Sequence, residues 1–469
     1  MKLKKTTYLS AFFLLLSIVL LDASCKKEHP FPAAKDGILA FSEDTVVFDT
    51  VFTTIGSTTQ NFRFYNTSKE KLNIDEIRLM GGSSSPFRLN IDGISGDVIK
   101  NVEMLPRDSL WGFVEVTLQV NNQTLPMIVE DSIRFMVKGK AQFLKLAVWG
   151  QDAYFHYNDF NEGVWPNDKP HVIYGSAIVD SAKTLIIQKG TKIYLHKASM
   201  LFNYKGTLKI EGEKGDEVQI MGDRLEDFYK DVSGQFYGIY MDHPLPSTIN
   251  YLIEKNGTTG IHVTGNSPFN ASSDYSLTLT NSILTNNSSY GLFLYDGAKA
   301  KVQNSVISQN GMYGLLVLRG AAFDFTHCDI VGYGQSKNSA VAIKNYYDGV
   351  ASNIPEGNFN NTVIYGVQDY ELAFDTVNPN NSANLINVKF NNCVIRYKET
   401  GNDFSHPMFS GTNYFNQDPK FTSPGDNNFK PLPGSSLLDR GNPAYALPTD
   451  IDGNPRNTST PDIGAYEVN

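Results

Sequence analysis

Cysteine is nearly absent from this chain, with three residues in 469. So few cysteines exclude a disulfide framework and any cysteine-rich metal site. Charge is also sparse, because Asp, Glu, Lys and Arg make up 19% of the residues against about 25% in typical domains. The net charge is −9, and no run of Lys and Arg occurs beyond the N-terminus. We therefore expect no nucleic-acid partner, since phosphates select clustered basic side chains.

Asparagine, in contrast, is abundant. The chain has 42 asparagines, none before Asn61 and 31 from Asn250 onward. Because Asn favours turns, this polar but uncharged bias is typical of a chain with many tight bends. The apolar share of 41% excludes global disorder and predicts a packed core.

The N-terminus resembles a bacterial lipoprotein signal peptide. Basic residues in Met1–Lys5 precede the apolar run Ala11–Leu21, which is too short to span a membrane comfortably. Small residues then precede Cys25, the position that such signals diacylglycerate, although Asp22 stands where an aliphatic residue is usual. The resemblance implies a lipid on Cys25 and attachment to the outer membrane of the cell envelope, facing either the periplasm or the outside. The alternative is ordinary secretion with a cysteine there by chance.

Residues 38–150 alternate apolar and polar side chains in short runs such as Thr45–Phe52 and Leu110–Val120. About seven such runs in roughly 110 residues, separated by Gly and Asn turns, predict a β-sandwich. The segment resembles immunoglobulin-like modules of bacterial surface proteins, without their Cys–Trp–Cys hallmark. The resemblance implies a spacer or a docking module.

A repeat begins near residue 250. Similar segments start at 250, 281, 304, 327, 361 and 392, in steps of 31, 23, 23, 34 and 31 residues. A core period of 23 with insertions is the length of one coil of a right-handed parallel β-helix, whose coils stack about 4.8 Å apart. All but the segment at His327 begin with Asn, which tolerates the left-handed backbone of a sharp bend. We expect these side chains to form an amide ladder along the axis.

The residues that follow the ladder positions are small, which predicts a column of buried fillers. This column consists of Ser282, Ser305, Cys328, Thr362 and Cys393. Its two cysteines would lie about 10 Å apart, too far for a disulfide. We also expect Asn304→Leu to destabilise the ladder and Asn310→Leu, in the adjoining loop, to be tolerated.

Residues 170–469 resemble secreted parallel β-helix proteins that often carry a lipid. The matching tail motifs are Asp418–Phe421, Leu432–Gly441, Asp450–Arg456 and Asp462–Glu467. The resemblance implies that this tail caps the final coil, whose open edge would otherwise invite aggregation. The predicted fold is all-β, an N-terminal Ig-like β-sandwich followed by a right-handed parallel β-helix with a C-terminal cap. The predicted segments are a signal peptide at 1–24, a tether at 25–37, the sandwich at 38–150, the β-helix at 151–400 and the capping region at 401–469.

Many β-helix relatives are polysaccharide lyases or glycoside hydrolases whose sites lie on one outward sheet. The repeat predicts the outward columns of that sheet as Tyr240, His262, Phe293, Leu316, Ala342, Ala373 and, beside it, Asp242, Thr264, Tyr295, Leu318, Lys344, Asp375. Asp296 and Arg319 follow at the strand ends, one coil apart, and are expected to form an ion pair. Aromatic faces beside charges suit sugars. The candidate binding residues are Tyr240, Asp242, Tyr295, Asp296 and Arg319.

Catalytic candidates are few. A lyase needs a base and a cation, normally with acidic calcium ligands on neighbouring coils. Lys344 and Asp375 are neighbours in the second column and are the candidates, although no acidic cluster surrounds them. Asp242 and Asp375 are separated by about 24 Å, whereas a glycosidase pair needs about 5 to 9.5 Å. No nucleophile elbow, phosphate loop or zinc motif is present, and the histidines show no metal spacing.

Calcium is the single cofactor that the sequence allows for. The charged insertion Asp223–Phe236 supplies candidate ligands at Asp223, Glu226, Asp227 and Asp231, and the alternative is a solvated loop. The tail aspartates Asp450, Asp452 and Asp462 are further candidates.

Two function classes remain. The sequence favours a non-catalytic, lipid-anchored envelope protein that binds a glycan or a surface protein through the β-helix. The alternative is a carbohydrate-active enzyme, a polysaccharide lyase or glycoside hydrolase, whose site is built from inserted loops.

Overall fold

The computed structural model describes residues 39–120, 126–265, 274–334, 337–377, 386–398, 404–409 and 411–468. Within these residues the regular elements are β-strands and short 3-10 helices, without an α-helix. They separate into two compact units. Residues 39–120 and 127–150 form the first unit, and the described residues from Gln151 onward form the second.

The first unit is a sandwich of two five-stranded sheets, in the orders β1-β3-β8-β5-β6 and β2-β10-β9-β4-β7. Its strands are β1 (Leu39–Phe41), β2 (Thr45–Phe52), β3 (Gln60–Asn66), β4 (Leu72–Leu79), β5 (Phe87–Ile91), β6 (Ile94–Ser95), β7 (Val98–Met104), β8 (Ser109–Val116), β9 (Met127–Val137) and β10 (Lys140–Gln151). Alternation along each strand places apolar residues such as Phe62, Phe64 and Phe135 in one shared core. Pairs such as β3–β8 and β9–β10 are antiparallel.

The second unit is built of coils of parallel strands. The strands of the first coils are β11 (Tyr154–Phe160), β12 (Gly163–Trp165), β13 (His171–Val179), β14 (Thr184–Gln188), β15 (Lys192–Leu195), β16 (Met200–Tyr204), β17 (Thr207–Glu211), β18 (Val218–Gly222), β19 (Gly238–Asp242), β20 (Ser247–Asn250), β21 (Leu252–Lys255), β22 (Thr259–Thr264), β23 (Leu277–Thr280), β24 (Ile283–Thr285) and β25 (Tyr290–Tyr295).

The remaining strands continue this order to the C-terminus. They are β26 (Lys299–Gln303), β27 (Val306–Ser308), β28 (Tyr313–Leu318), β29 (Ala322–Thr326), β30 (Asp329–Gly332), β31 (Val341–Lys344), β32 (Tyr346–Tyr347), β33 (Val350–Ala351), β34 (Ile354–Asn360), β35 (Val363–Gly366), β36 (Leu372–Asp375), β37 (Ile386–Asn391), β38 (Val394–Ile395), β39 (Tyr414–Phe415), β40 (Phe421–Ser423) and β41 (Asn428–Pro431). Short 3-10 helices lie at Gly82–Ser84, Asp227–Tyr229, Pro407–Phe409, Pro424–Asp426 and Pro443–Tyr445.

Each coil presents three faces. Face 1 contains β16, β19, β22, β25, β28, β31 and β36; face 2 contains β15, β18, β21, β24, β27, β30, β35 and β38; face 3 contains β14, β17, β20, β23, β26, β29, β34 and β37. Neighbouring strands within each face are parallel and in register, as in β25–β28. Side chains that point inward form one continuous apolar core. The predicted parallel β-helix is therefore confirmed.

The ladder residues lie at the bend between face 3 and face 2. Asn281, Asn304, His327, Asn361 and Asn392 all have positive φ, between 45° and 53°. Amide hydrogen bonds connect the coils, because Nδ2 of Asn304 donates to Oδ1 of Asn281 over 3.2 Å. Nδ2 of Asn361 lies 3.1 Å from Nε2 of His327, so the histidine takes the place of an asparagine.

The first ladder position differs from the prediction by one residue. The left-handed bend of that coil is at Tyr251, with φ 47°, and Asn250 pairs with Thr280 at the end of the preceding strand. Oδ1 of Asn250 still accepts from Nδ2 of Asn281 over 2.8 Å. The amide thus joins the ladder from a strand end instead of from the bend.

The filler column is confirmed. Ser282, Ser305, Cys328, Thr362 and Cys393 have no exposed surface. Burial raises the pKa of the Cys393 thiol to about 12 and also raises that of Cys328, so both thiols stay protonated at neutral pH. Both cysteines are free, which fits a packing role.

The C-terminal tail was expected to cap the last coil, but the structure places it along the side of the helix. Tail residues Leu437, Ile451 and Ile463 pack on outward-facing valines of face 2, including Val306 and Val363. Tail carbonyls accept hydrogen bonds from ladder amides, as Thr449 does from Asn304 and Asn442 does from Asn361. The physical reason is an outward apolar column on face 2 that needs a cover.

The last coil is covered by a shorter segment. Strand β39 pairs with β38, and Met408, Phe409 and Phe415 pack against the inner core. The ring of Phe409 stacks on Phe390 of the final face 3 strand at 5.2 Å. Residues 404–409 and 411–415 therefore close the described end of the helix, as an exposed edge requires.

Asn310 was expected to be a tolerant loop position, but the structure places it in the interior. The residue is 5% exposed, and its Oδ1 accepts from both the backbone N–H and the Nδ2 of Asn287. It therefore belongs to a second polar stack inside the bend between faces 2 and 1.

Candidate functional site

The outward columns of face 1 follow the predicted register. Paired residues run Phe202, Tyr240, His262, Phe293, Leu316, Ala342, Ala373 in the first column. The second column runs Tyr204, Asp242, Thr264, Tyr295, Leu318, Lys344, Asp375. We call these two columns, with Asp296 and Arg319 at the strand ends, the face 1 strip.

Four aromatic rings of the first column stack on successive coils. The ring centroids of Phe202 and Tyr240 are 5.2 Å apart, those of Tyr240 and His262 are 4.6 Å apart, and those of His262 and Phe293 are 4.3 Å apart. The planes of neighbouring rings differ by 16° to 21°. In-register parallel strands produce this arrangement, because each ring sits directly over the equivalent ring one coil away. The ring faces cover one another, so the partly exposed stack presents its ring edges to solvent along the helix axis.

His262 is the polar member of this stack. Its Nδ1 lies 2.8 Å from the hydroxyl of Tyr237, and its Nε2 lies 3.4 Å from Oγ1 of Thr264. Burial lowers the pKa of His262 to about 4, so the imidazole is neutral at physiological pH. Sequence reasoning placed His262 in an outward column and did not foresee its contact with Tyr237, which precedes strand β19.

The predicted pair of Asp296 and Arg319 is present. Nε of Arg319 lies 3.3 Å from the Asp296 carboxylate, and its Nη1 donates to the hydroxyl of Tyr295 over 3.1 Å. At the other end of the strip, Nδ1 of His243 lies 2.6 Å from the carboxylate of Asp242. The structure thus distributes the five predicted binding residues along one face, with Tyr240 among the stacked rings.

Lys344 and Asp375 also form an ion pair, at 2.9 Å. The hydroxyl of Tyr346, in the β32–β33 hairpin, donates to the other Asp375 oxygen over 3.0 Å. The hydrogen bond to Asp375 raises the pKa of Lys344, and the same bond lowers the pKa of Asp375. These shifts oppose catalysis, because a general base needs a lowered lysine pKa and a general acid needs a raised carboxyl pKa.

The four candidate calcium ligands of the insertion have separate surroundings. Asp223 lies 2.7 Å from Nδ1 of His196, and Glu226 pairs with Arg224 at 2.8 Å. Asp227 begins the 3-10 helix, whereas the carbonyl of Asp231 accepts from Asn286. Over the described part of the chain, no three Asp, Glu, His or Cys side chains converge as metal ligands.

The tail aspartates are engaged by donors. Asp450 accepts from the backbone N–H groups of Asp452, Asn454 and Glu467, and Asp462 accepts from two more. Asp452 pairs with two lysines. These hydrogen bonds and ion pairs stabilise the turns of the tail, and they occupy the carboxylate oxygens that a calcium ion would need as ligands.

Sequence reasoning missed a cleft of about 840 Å³ at the bend between faces 2 and 1. Its walls are the 223–236 insertion and the tail loop Pro424–Asn427. The floor contains Asn256, Asn286 and Gln309, the bend residues of three successive coils, all with positive φ. The recurrence of amides at this bend was visible in the repeat, but the meeting of insertion and tail was not.

Cys25 lies outside the described residues, so its predicted lipid stays a prediction. Within the described ranges, no helix is long and apolar enough to cross a membrane.

A family model described as "Right handed beta helix region" matches residues 259–417. Together with the parallel register, the match identifies the second unit as a right-handed parallel β-helix. A search of curated proteins gives no match.

Solved structures resemble the chain at low identity. The A-module of mannuronan C-5 epimerase AlgE6 from Azotobacter vinelandii is 10% identical with a TM-score of 0.29, covering 57% of this chain and 86% of that one. A GH87 alpha-1,3-glucanase unit from Streptomyces thermodiastaticus is 10% identical with a TM-score of 0.22, covering 71% and 79%. A family 123 glycoside hydrolase from Clostridium perfringens is 8% identical with a TM-score of 0.18 over 24% of this chain. This chain spans 26% of that hydrolase's length. Similarity this low transfers no activity.

Proposed function

We propose that this protein is a non-catalytic, lipid-anchored protein of the cell envelope that binds a glycan through the face 1 strip. The observation that carries the proposal is the stack of four rings from Phe202 to Phe293, flanked by ion pairs. The exposed ring edges form an apolar strip against which the C–H groups of a sugar can pack, while charged and hydroxyl groups at the margin orient the sugar. A repeating ligand matches a repeating surface.

The charged groups of the strip favour binding over catalysis. Asp242, Asp296 and Asp375 each lie within ion-pair distance of a basic side chain. The hydrogen bond from Lys344 lowers the pKa of Asp375, which makes this carboxyl group a poor proton donor. The same groups remain able to accept hydrogen bonds from sugar hydroxyls.

The anchor and the first unit complete the proposal. A lipid on Cys25 would hold the protein at the outer membrane. The immunoglobulin-like sandwich would act as a spacer, as such modules do. A surface protein as the partner, instead of a glycan, is the alternative occupant of the strip.

The test uses the purified protein and a glycan array, followed by calorimetry on the selected glycan. Replacing Tyr240 and Tyr295 by Ala should weaken binding at least tenfold, because both rings are partly exposed on the strip. The melting temperature should change little for the same reason. Tyr157→Ala, an exposed ring on β11, is the matched control and should bind normally. Equal affinity of the double variant and wild type would refute the strip as the site.

A second function, a polysaccharide lyase, is favoured by the contact between Tyr237 and His262. A neutral imidazole beside a phenol is the arrangement in which one group removes a proton and the other returns one. If the protein is a lyase, unsaturated uronate should accumulate from an acidic polysaccharide, and Tyr237→Phe and His262→Gln should abolish it. Lys344→Ala and Asp375→Asn would then be nearly neutral. Turnover of any polysaccharide would overturn the non-catalytic proposal.

A further inference from the structure

The cleft at the bend between faces 2 and 1 is formed by two segments far apart in sequence. The bend residues Asn256, Asn286 and Gln309, which we call the corner row, run along its floor. Nδ2 of Asn286 donates to Oδ1 of Asn256 over 2.8 Å, so adjacent coils are tied together beneath the cleft. Each amide of the row also holds one wall in place.

The first wall is the 223–236 insertion. Nδ2 of Asn256 donates to the carbonyl of Lys230 over 2.9 Å, and Nδ2 of Asn286 donates to the carbonyl of Asp231 over 3.0 Å. The backbone N–H of Gly234 donates to the carbonyl of Gly257. These bonds hold the insertion against one side of the corner row.

The second wall is the tail loop Pro424–Asn427. Oγ1 of Thr285 and Oγ of Ser308 both donate to Oδ1 of Asn427, over 3.1 and 2.8 Å. Nε2 of Gln309 donates to the carbonyls of Pro424 and Gly425. These bonds join residues more than a hundred positions apart in the chain, and through them the tail forms the other side of the cleft.

The space between the walls has the size and chemistry of a sugar site. Its volume of about 840 Å³ lies within the range of about 300–1,000 Å³ typical of small-ligand sites. The lining carries two ammonium groups, on Lys230 and Lys255, and two carboxylates, on Asp231 and Asp426, so it has no net charge. Amides and hydroxyls supply most of the remaining polar groups. Such paired donors and acceptors match the adjacent hydroxyls of a neutral sugar.

We propose that this cleft is a second ligand site, separate from the face 1 strip, and that it binds a short neutral oligosaccharide. Its charge balance gives no advantage to an acidic ligand, because attraction by the lysines is offset by the two carboxylates. The walls are tied to three coils by side-chain hydrogen bonds, so the cleft is preformed and loses little entropy on binding.

The test is calorimetry in the Tyr240→Ala, Tyr295→Ala background, which removes the strip site. The probes are maltohexaose, cellohexaose, xylohexaose and mannohexaose, with hexagalacturonate as the acidic comparison. At least one neutral hexasaccharide should bind. Ser233→Trp, which places an indole at the mouth of the cleft from an exposed position, should weaken that binding at least tenfold. Ser181→Trp, at an exposed turn between β13 and β14, should leave it unchanged.

A second cleft variant controls for the possibility that Ser233→Trp loses binding because the protein misfolds. Lys255→Ala removes one lining ammonium group without adding bulk, and it should weaken binding by about threefold to tenfold. Failure of every neutral probe, unchanged affinity in both cleft variants, or tenfold tighter binding of hexagalacturonate would each overturn the proposal. Because the strip is already disabled, none of these outcomes depends on the face 1 proposal.

Discussion

Nη2 of Arg456 donates a hydrogen bond to Oδ1 of Asn304 over 3.0 Å, which joins two residues 152 positions apart in the chain. The contact connects the C-terminal tail to the asparagine ladder. Arg456 also forms an ion pair with Glu467 at 3.2 Å and donates to the carbonyls of Gly464 and Ala465. Its side chain has no exposed surface, so this single guanidinium holds the tail to the side of the β-helix.

Arg456→Leu should therefore destabilise the tail strongly. The change leaves the buried carboxylate of Glu467 without its cation, which costs about 3–5 kcal/mol in comparable pairs. Chemical denaturation and limited proteolysis of the tail measure the loss. Lys430→Ala, which breaks a more exposed tail pair with Asp452, is the matched control and should cost under about 1 kcal/mol. Equal losses in the two variants would contradict the role of Arg456.

Glu254 should make stability depend on pH. It replaces an aliphatic residue in an inward column, pairing with Ile220 and Leu284, and burial raises its pKa to about 8. Nδ2 of Asn287 donates to its Oε2 over 2.9 Å. This bond and one from the backbone of Gly257 lower the pKa, but burial outweighs them. The neutral acid is therefore the favoured form of Glu254 in the folded protein.

The pKa of Glu254 in the folded protein lies above its unfolded value of 4.5. The stability that protonated Glu254 contributes is therefore complete below pH 4.5 and is lost as pH rises towards about 8. Glu254→Gln keeps a neutral side chain of nearly the same shape without a titrating proton. Relative to wild type, its free energy of unfolding should rise between pH 5 and pH 8, on the order of 3 kcal/mol. Denaturation curves at several pH values measure this, with exposed Glu103→Gln as the control. A difference that does not vary with pH would exclude a raised pKa for Glu254 in the folded protein.

The two asparagine stacks should respond alike to substitution. Asn304 and Asn310 are 6% and 5% exposed, and each hydrogen-bonds to an asparagine one coil earlier. Asn304→Leu and Asn310→Leu should each cost about 1–3 kcal/mol, because partners are left buried and unpaired. Asn167→Leu, at an exposed turn with one hydrogen bond to Lys189, should cost under about 1 kcal/mol. A neutral Asn310→Leu would restore the expectation drawn from sequence alone.

The lipid prediction is tested in cells. Radiolabelled palmitate should enter the wild-type protein and should not enter Cys25→Ser. Cys393→Ser should still be labelled, because serine occupies equivalent filler positions at Ser282 and Ser305 and the fold tolerates it. Labelling of Cys25→Ser at the wild-type level would remove the anchor.

Much of the β-helix followed from sequence because a coil repeats its contacts at a regular interval. Once the repeat was aligned from Asn281 to Asn392, the residue above Tyr295 had to be Leu318, and the bend had to fall on a residue that accepts positive φ. The alignment was wrong by one position at Asn250, where the bend belongs to Tyr251. Sequence alignment placed Asn250 correctly among the ladder amides. The position of the bend, however, depends on the hydrogen-bond register of the paired strands, which the alignment does not contain.

The sequence by itself determined the all-β class, the coil length, the outward columns and the buried small-residue column, since each depends on local periodicity. The tertiary structure alone decided where the tail lies, how the cleft forms and that Asn310 is buried. Contacts such as Arg456 to Asn304, or Asn427 to Ser308, join segments more than a hundred residues apart. They follow no period, so only the folded molecule, in which the tail covers the outward-facing valines of face 2, brings them together.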